Sequence, residues 1–88
     1  MMKQSLLKRI TTSAAIADGR PVIRKQNLTV EEVLGRLAEG ETYKTLLRQY
    51  SWLKPEDIQA CLLYAQQLVE QAQPELSLNF ERLRLKAT

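Results

Sequence analysis

Histidine is absent from the 88 residues, and cysteine occurs once, at Cys61. Without an imidazole there is no Ser-His-Asp or Cys-His nucleophile, and a single thiol supports neither a disulfide framework nor a zinc finger. No apolar run approaches the ~18–20 residues of a membrane span. The opening Met1–Arg9 stretch lacks the apolar core and cleavage site of a secretory signal, so a cytoplasmic protein is expected. Gly19-Arg20-Pro21 lacks the spaced glycines and the Lys-Ser/Thr pair of a phosphate loop. Glu56 and Asp57 are neighbours in sequence and diverge by ~100° on a helix, so they are not a preformed acid–base pair. Cys61 falls on the apolar face of a helical pattern, where it reads as a small hydrophobe and not as a reactive thiol. No catalytic constellation, metal set or cofactor motif emerges, and an enzyme is not expected.

What is present is an ordinary globular composition, 44% apolar and 26% charged. A 10.1 kDa chain has room for one small domain. Such a domain buries only about 60–65% of its unfolded surface, so a partner subunit would help it and a homodimer is expected. The net charge of +3 is unevenly spread. Residues 1–27 hold Lys3, Lys8, Arg9, Arg20, Arg24 and Lys25 against Asp18 alone, whereas residues 28–73 are mildly acidic. Basic clusters attract nucleic-acid phosphates by counterion release; equally, a solvated basic segment keeps a protein soluble.

Three helices are predicted between Leu28 and Ala72. Thr29-Val30-Glu31-Glu32 forms a capping box, followed by Val30, Val33, Leu34, Leu37 and Ala38 on one face, with Gly40 as the stop. Gly35 inside this helix marks either a close neighbour or an idle exposed site, at ~1 kcal/mol relative to alanine. Thr42 caps a second helix over Tyr43–Tyr50. Ser51-Trp52-Leu53 links it to a third, opened by Pro55 with Glu56 and Asp57 in the first turn. Lys54 is a poor cap, so this start lacks a side-chain acceptor. Ile58, Cys61, Leu62, Ala65, Leu68, Val69 and Ala72 form its apolar stripe; Leu63 and Tyr64 widen it beyond what two short helices cover, which calls for a subunit contact or a covering terminus. Before the helices, Arg9–Thr12 and Pro21–Arg24 are strand candidates with Asp18-Gly19 as turn chemistry. After Pro74, Leu76, Leu78, Phe80, Leu83 and Leu85 make an amphipathic tail that fits strand or helix spacing.

Helices two and three, joined by a tight turn, have the layout of a helix-turn-helix unit. In that layout Lys54, Pro55, Glu56, Asp57, Gln59 and Ala60 face a DNA groove. Gln59 suits adenine and Lys54 phosphate or guanine, while exposed Glu56 and Asp57 would repel a polyanion. A bundle used only for packing is the competing reading. The candidates for phosphate or groove contact are Lys8, Arg9, Arg20, Arg24, Lys25, Lys54 and Gln59. Those for a partner or dimer interface are Leu63, Tyr64, Leu68, Leu76, Leu78, Phe80, Leu83 and Leu85.

From Arg9 to about Ala65 the chain resembles a small bacterial family known as domain of unknown function 433. The resemblance is carried by Arg9-Ile10-Thr11, Gly19-Arg20-Pro21-Val22-Ile23-Arg24, Leu28-Thr29-Val30, Leu37-Ala38-Glu39-Gly40 and Tyr50-Ser51-Trp52-Leu53-Lys54-Pro55-Glu56-Asp57-Ile58, and closes with Ala60 and Leu63-Tyr64-Ala65. It departs at Lys25-Gln26-Asn27, where the family usually has Gly-Thr-Arg, and at Lys54, where a Thr or Ser cap is usual. The resemblance implies a mainly α, homeodomain-like three-helix bundle (residues 28–73). A short N-terminal β-hairpin or extended basic arm (1–27) precedes it, and an extended amphipathic tail (74–88) follows. It also implies an antitoxin of a type II toxin–antitoxin pair, whose partner is a PIN-like nuclease toxin; operator DNA as a further ligand is an expectation drawn from the basic arm and the helix-turn-helix layout. The alternative is a dimeric structural module without nucleic-acid binding.

Overall fold

The computed structural model describes residues 2–72. Its architecture is mainly helical: α1 (Met2–Leu7), β1 (Ile10–Thr11), β2 (Val22–Ile23), α2 (Val30–Ala38), α3 (Tyr43–Gln49) and α4 (Pro55–Ala72). The three expected helices are α2, α3 and α4. The expected hairpin is β1 and β2, antiparallel, with Ile10 opposite Ile23 and Thr11 opposite Val22. Leu28 and Thr29 run along the other side of β2, where the Ile23 N–H donates to the Leu28 carbonyl at 3.1 Å and Val22 bridges Thr29. The tail candidates Leu76, Leu78, Phe80, Leu83 and Leu85 lie outside the described residues.

Local chemistry sets the helix ends. The Thr29 hydroxyl accepts from the Glu32 N–H at 3.0 Å, but the Glu32 carboxylate turns to Arg36 at 3.3 Å instead of reaching back to the cap. The reciprocal box is at α3, where Thr42 and Thr45 each accept the other's N–H, at 3.3 and 3.1 Å. Past α2, Gly40 sits at φ +100°. There its N–H donates to the Leu37 carbonyl and the Glu41 N–H to the Arg36 carbonyl, each at 3.0 Å; these are the two bonds of a Schellman stop, which needs a left-handed residue at that point. Gly35 is the idle exposed site of the two readings, since a Cβ there would meet nothing within 4 Å.

Ile23, Leu28, Val30, Val33, Leu46, Leu53, Ile58 and Cys61 form the core. The fully buried residues of α4 lie in its first two turns, Asp57, Ile58, Ala60 and Cys61, with Tyr64 packed against the core beyond them, whereas Leu62, Leu68 and Val69 are exposed. The apolar surface of this helix thus exceeds what the two short helices cover, as expected from the sequence. The reason is length, since α2 and α3 have nine and seven residues against eighteen in α4, or ~13 and ~10 Å against ~27 Å. Part of the uncovered remainder is met by a terminus. The pattern gives no signal for α1, yet it packs against α4 with Leu6 and Leu7 half-buried. Six residues are too few to show a period and too few to hold a helix alone, so α1 depends on that packing.

Candidate functional site: a basic face around a buried aspartate

Between β1 and β2 the chain makes a left-handed turn, with Ala17, Asp18 and Gly19 at φ 50°, 55° and 82°. It delivers Pro21 to β2, whose own exit is a second turn closed by the Gln26 N–H on the Ile23 carbonyl at 2.8 Å. Its two central residues are Arg24 (φ 46°) and Lys25 (φ 63°). Left-handed backbone costs a residue with a Cβ about 1–2 kcal/mol. Lys25 stands where the family pattern places glycine, which explains the glycine. The Lys25 N–H is held by the Thr11 hydroxyl at 3.0 Å, and the Arg24 N–H by the Arg9 carbonyl at 2.7 Å.

What fixes this turn is Asp57. Its carboxylate is completely buried and saturated. Oδ1 accepts from Arg9 Nη1 at 2.9 Å and Arg24 Nε at 3.0 Å, while Oδ2 accepts from Arg24 Nη2 and the Lys54 N–H, each at 2.8 Å. Arg24 thus grips both oxygens in a fork, the strong geometry for a guanidinium–carboxylate pair. Its Nη2 also donates to the Trp52 carbonyl at 2.8 Å, and its guanidinium lies 5.5 Å from the centre of the Trp52 ring. Burial by itself pushes the Asp57 carboxyl up. The donors from Arg24, the Lys54 N–H and Arg9 outweigh it and hold the group below its ordinary value. Among the described residues no buried side-chain N or O lacks a hydrogen-bond partner.

Two expectations are thereby overturned. Asp57 does not face a polyanion, and the start of α4 does have an acceptor, because the third helical residue caps it from within. Ala60 is also buried instead of facing outward. The signal for Asp57 was available: an acid at the third helical position after a residue that cannot cap. Its arginine partners, 48 and 33 residues away, carry no local mark.

The candidate cations divide. Arg9 and Arg24 are on Asp57, with 28% and 35% of their side chains still exposed. Lys8 adjoins Arg9, Lys25 adjoins Arg24, and Lys54 opens α4; all three are exposed, as are Glu56 and Gln59 nearby. Arg20 stands apart and pairs with Glu31 of α2 at 3.4 Å. Of the interface candidates, Tyr64 and Leu68 line one groove with Leu34, and Leu63 is half-buried. The Cys61 thiol is pushed up to about 12 by burial and by the Asp57 charge, so it stays protonated and unreactive. Among the described residues no group of three His, Cys, Asp or Glu could hold a metal ion, and no helix is long and apolar enough to cross a membrane.

No curated protein matches the chain. The crystal structure of a DUF433 member protein from Anabaena variabilis ATCC 29413, at 2.00 Å resolution, is similar to it. The two are 28% identical with a TM-score of 0.68, over 84% of this chain and 73% of that one. The family described as "Protein of unknown function (DUF433)" matches residues 10–65, well over half of the sequence and the whole span from the hairpin to the middle of α4. The chain therefore belongs to the DUF433 family.

Proposed function

We propose that the protein is a non-enzymatic, antitoxin-like adaptor that holds nucleic-acid phosphates on the face around the start of α4. The observation that supports this is the gathering of Lys8, Arg9, Arg24, Lys25 and Lys54 about one buried carboxylate. Asp57 holds Arg9, Arg24 and the Lys54 N–H in place, and Glu56, exposed beside Lys54, opposes them in charge. Strained backbone that carries basic side chains is a device of binding sites; here a lysine occupies a glycine position and points its charge at solvent. A face of this kind carries phosphate contacts and little base reading. The protein partner of the reading, a PIN-like nuclease, comes from the family resemblance.

Arg9 and Arg24 are poor probes because their loss strands Asp57. Lys25→Gly and Lys54→Ala are the informative changes, measured by fluorescence anisotropy on a duplex over a range of salt. Each should lower the slope of log Kobs against log salt by about 1, with Arg20→Ala leaving it unchanged. Lys25→Gly should also raise stability by roughly 0.5 kcal/mol, the relieved strain exceeding the entropy that glycine adds to the unfolded chain. Binding and stability then move in opposite directions. No salt-dependent binding by the parent chain would instead favour the dimeric structural module, a reading that the exposed Leu62 and Val69 on α4 also support.

A further inference from the structure

A groove of about 430 Å³ lies between α2 and the distal half of α4. Val30 and Leu34 form one wall, Tyr64 and Leu68 the other, and Pro21 closes an end. At the rim, Arg20 and Glu31 neutralise each other, so the opening offers no net charge to an occupant. Leu68 remains 49% exposed. We propose that this groove is the seat of the chain's own segment Leu76–Phe80, which lies outside the described residues.

Reach is the first support. Leu68 is one turn, ~6 Å, before Ala72, and Tyr64 is ~12 Å before it. Pro74 has no N–H to give the Glu70 carbonyl and disfavours helical backbone at Gln73, so the sequence favours a helix stop there. If extended, residues 73–75 would span ~10 Å, enough to return Leu76 to the level of Leu68. Pattern is the second support: Leu76, Leu78 and Phe80 alternate with Ser77 and Asn79, which gives one apolar and one hydrogen-bonding face. Charge is the third. Leu76–Phe80 is uncharged, matching the neutral rim, whereas Glu81, Arg82, Arg84 and Lys86 follow it. A second copy is the weaker occupant, because a stable interface takes ~20–30 residues a side and this groove offers four wall residues. The proposal does not depend on nucleic-acid binding by the opposite cations.

Methyl NMR of the full-length chain tests it. Nuclear Overhauser contacts are expected between the Phe80 ring and the Leu34 and Leu68 methyls, unchanged on tenfold dilution. In the full-length double variant Leu78→Ser, Phe80→Ser these contacts are lost and the Val30, Leu34 and Leu68 methyls shift. Leu68→Asp, at a half-exposed position, should remove the Phe80–Leu34 contact in the same way. Methyl positions identical in parent and double variant would overturn the proposal. So would contacts that appear only between differently labelled copies, which would place the tail of a neighbouring molecule in the groove.

Discussion

Asp57 is where a single atom group decides most. Its folded pKa lies below the unfolded value of about 4, so its contribution is fully present above that pH. It is lost as pH falls through the folded value. Asp57→Asn should therefore cost about 3 kcal/mol at pH 7, at the low end for breaking a buried pair because both guanidinium groups reach water. The gap between parent and variant should close as pH drops below about 4, which urea midpoints measured from pH 7 to pH 2 would show. Cys61 was legible as an inert buried thiol from its place in the apolar pattern. Asp57 was legible only in part: its place three residues into α4 after Lys54 is a local signal, but its pairing with Arg9 and Arg24 was not, because no window around residue 57 contains them.

At the scale of elements, caps and stops were legible because their chemistry is local: Thr29, Thr42, Pro55 and Gly40 each act within one turn. The two strands were legible from paired apolar residues and the turn between them from Asp18-Gly19, although nothing marked Ala17 as its first left-handed residue. Periodicity also identified the apolar face of α4 and its surplus over two short helices, but not that Leu62, Leu68 and Val69 are the residues left exposed. The exposed interior glycine of α2 offers a direct check on element stability. Gly35→Ala adds a Cβ into open space and should stabilise by roughly 0.5–1 kcal/mol. Thermal unfolding should move up by about 2–8 °C, with no change in the groove or the basic face.

Across the whole molecule, the residues before α2 are a structural part of the bundle: α1 packs on α4, β1 contacts α4, and β2 supplies Ile23 to the core. The reading of residues 1–27 as arm or hairpin is resolved toward the hairpin, with an added helix. The basic charge there is presented by folded backbone, which is why removing a lysine and removing an arginine from the same patch have different consequences.

One carboxylate that fastens the ends of two strands to the first turn of a helix also makes those parts open together. The amides of Ile23, Arg24 and Asp57 are bonded to Leu28, Arg9 and Lys54 respectively, and each sits within one residue of the tie. They are expected to exchange as a single cooperative unit, distinct from α3. In native-state hydrogen exchange, Asp57→Asn should speed these three amides by a common factor of about 100, the equivalent of roughly 3 kcal/mol. The Leu46 amide of α3 and the Tyr50 amide that caps it should change far less. Unequal factors among the three would mean that the hairpin and the helix breathe separately, and that the aspartate joins them only in the static picture.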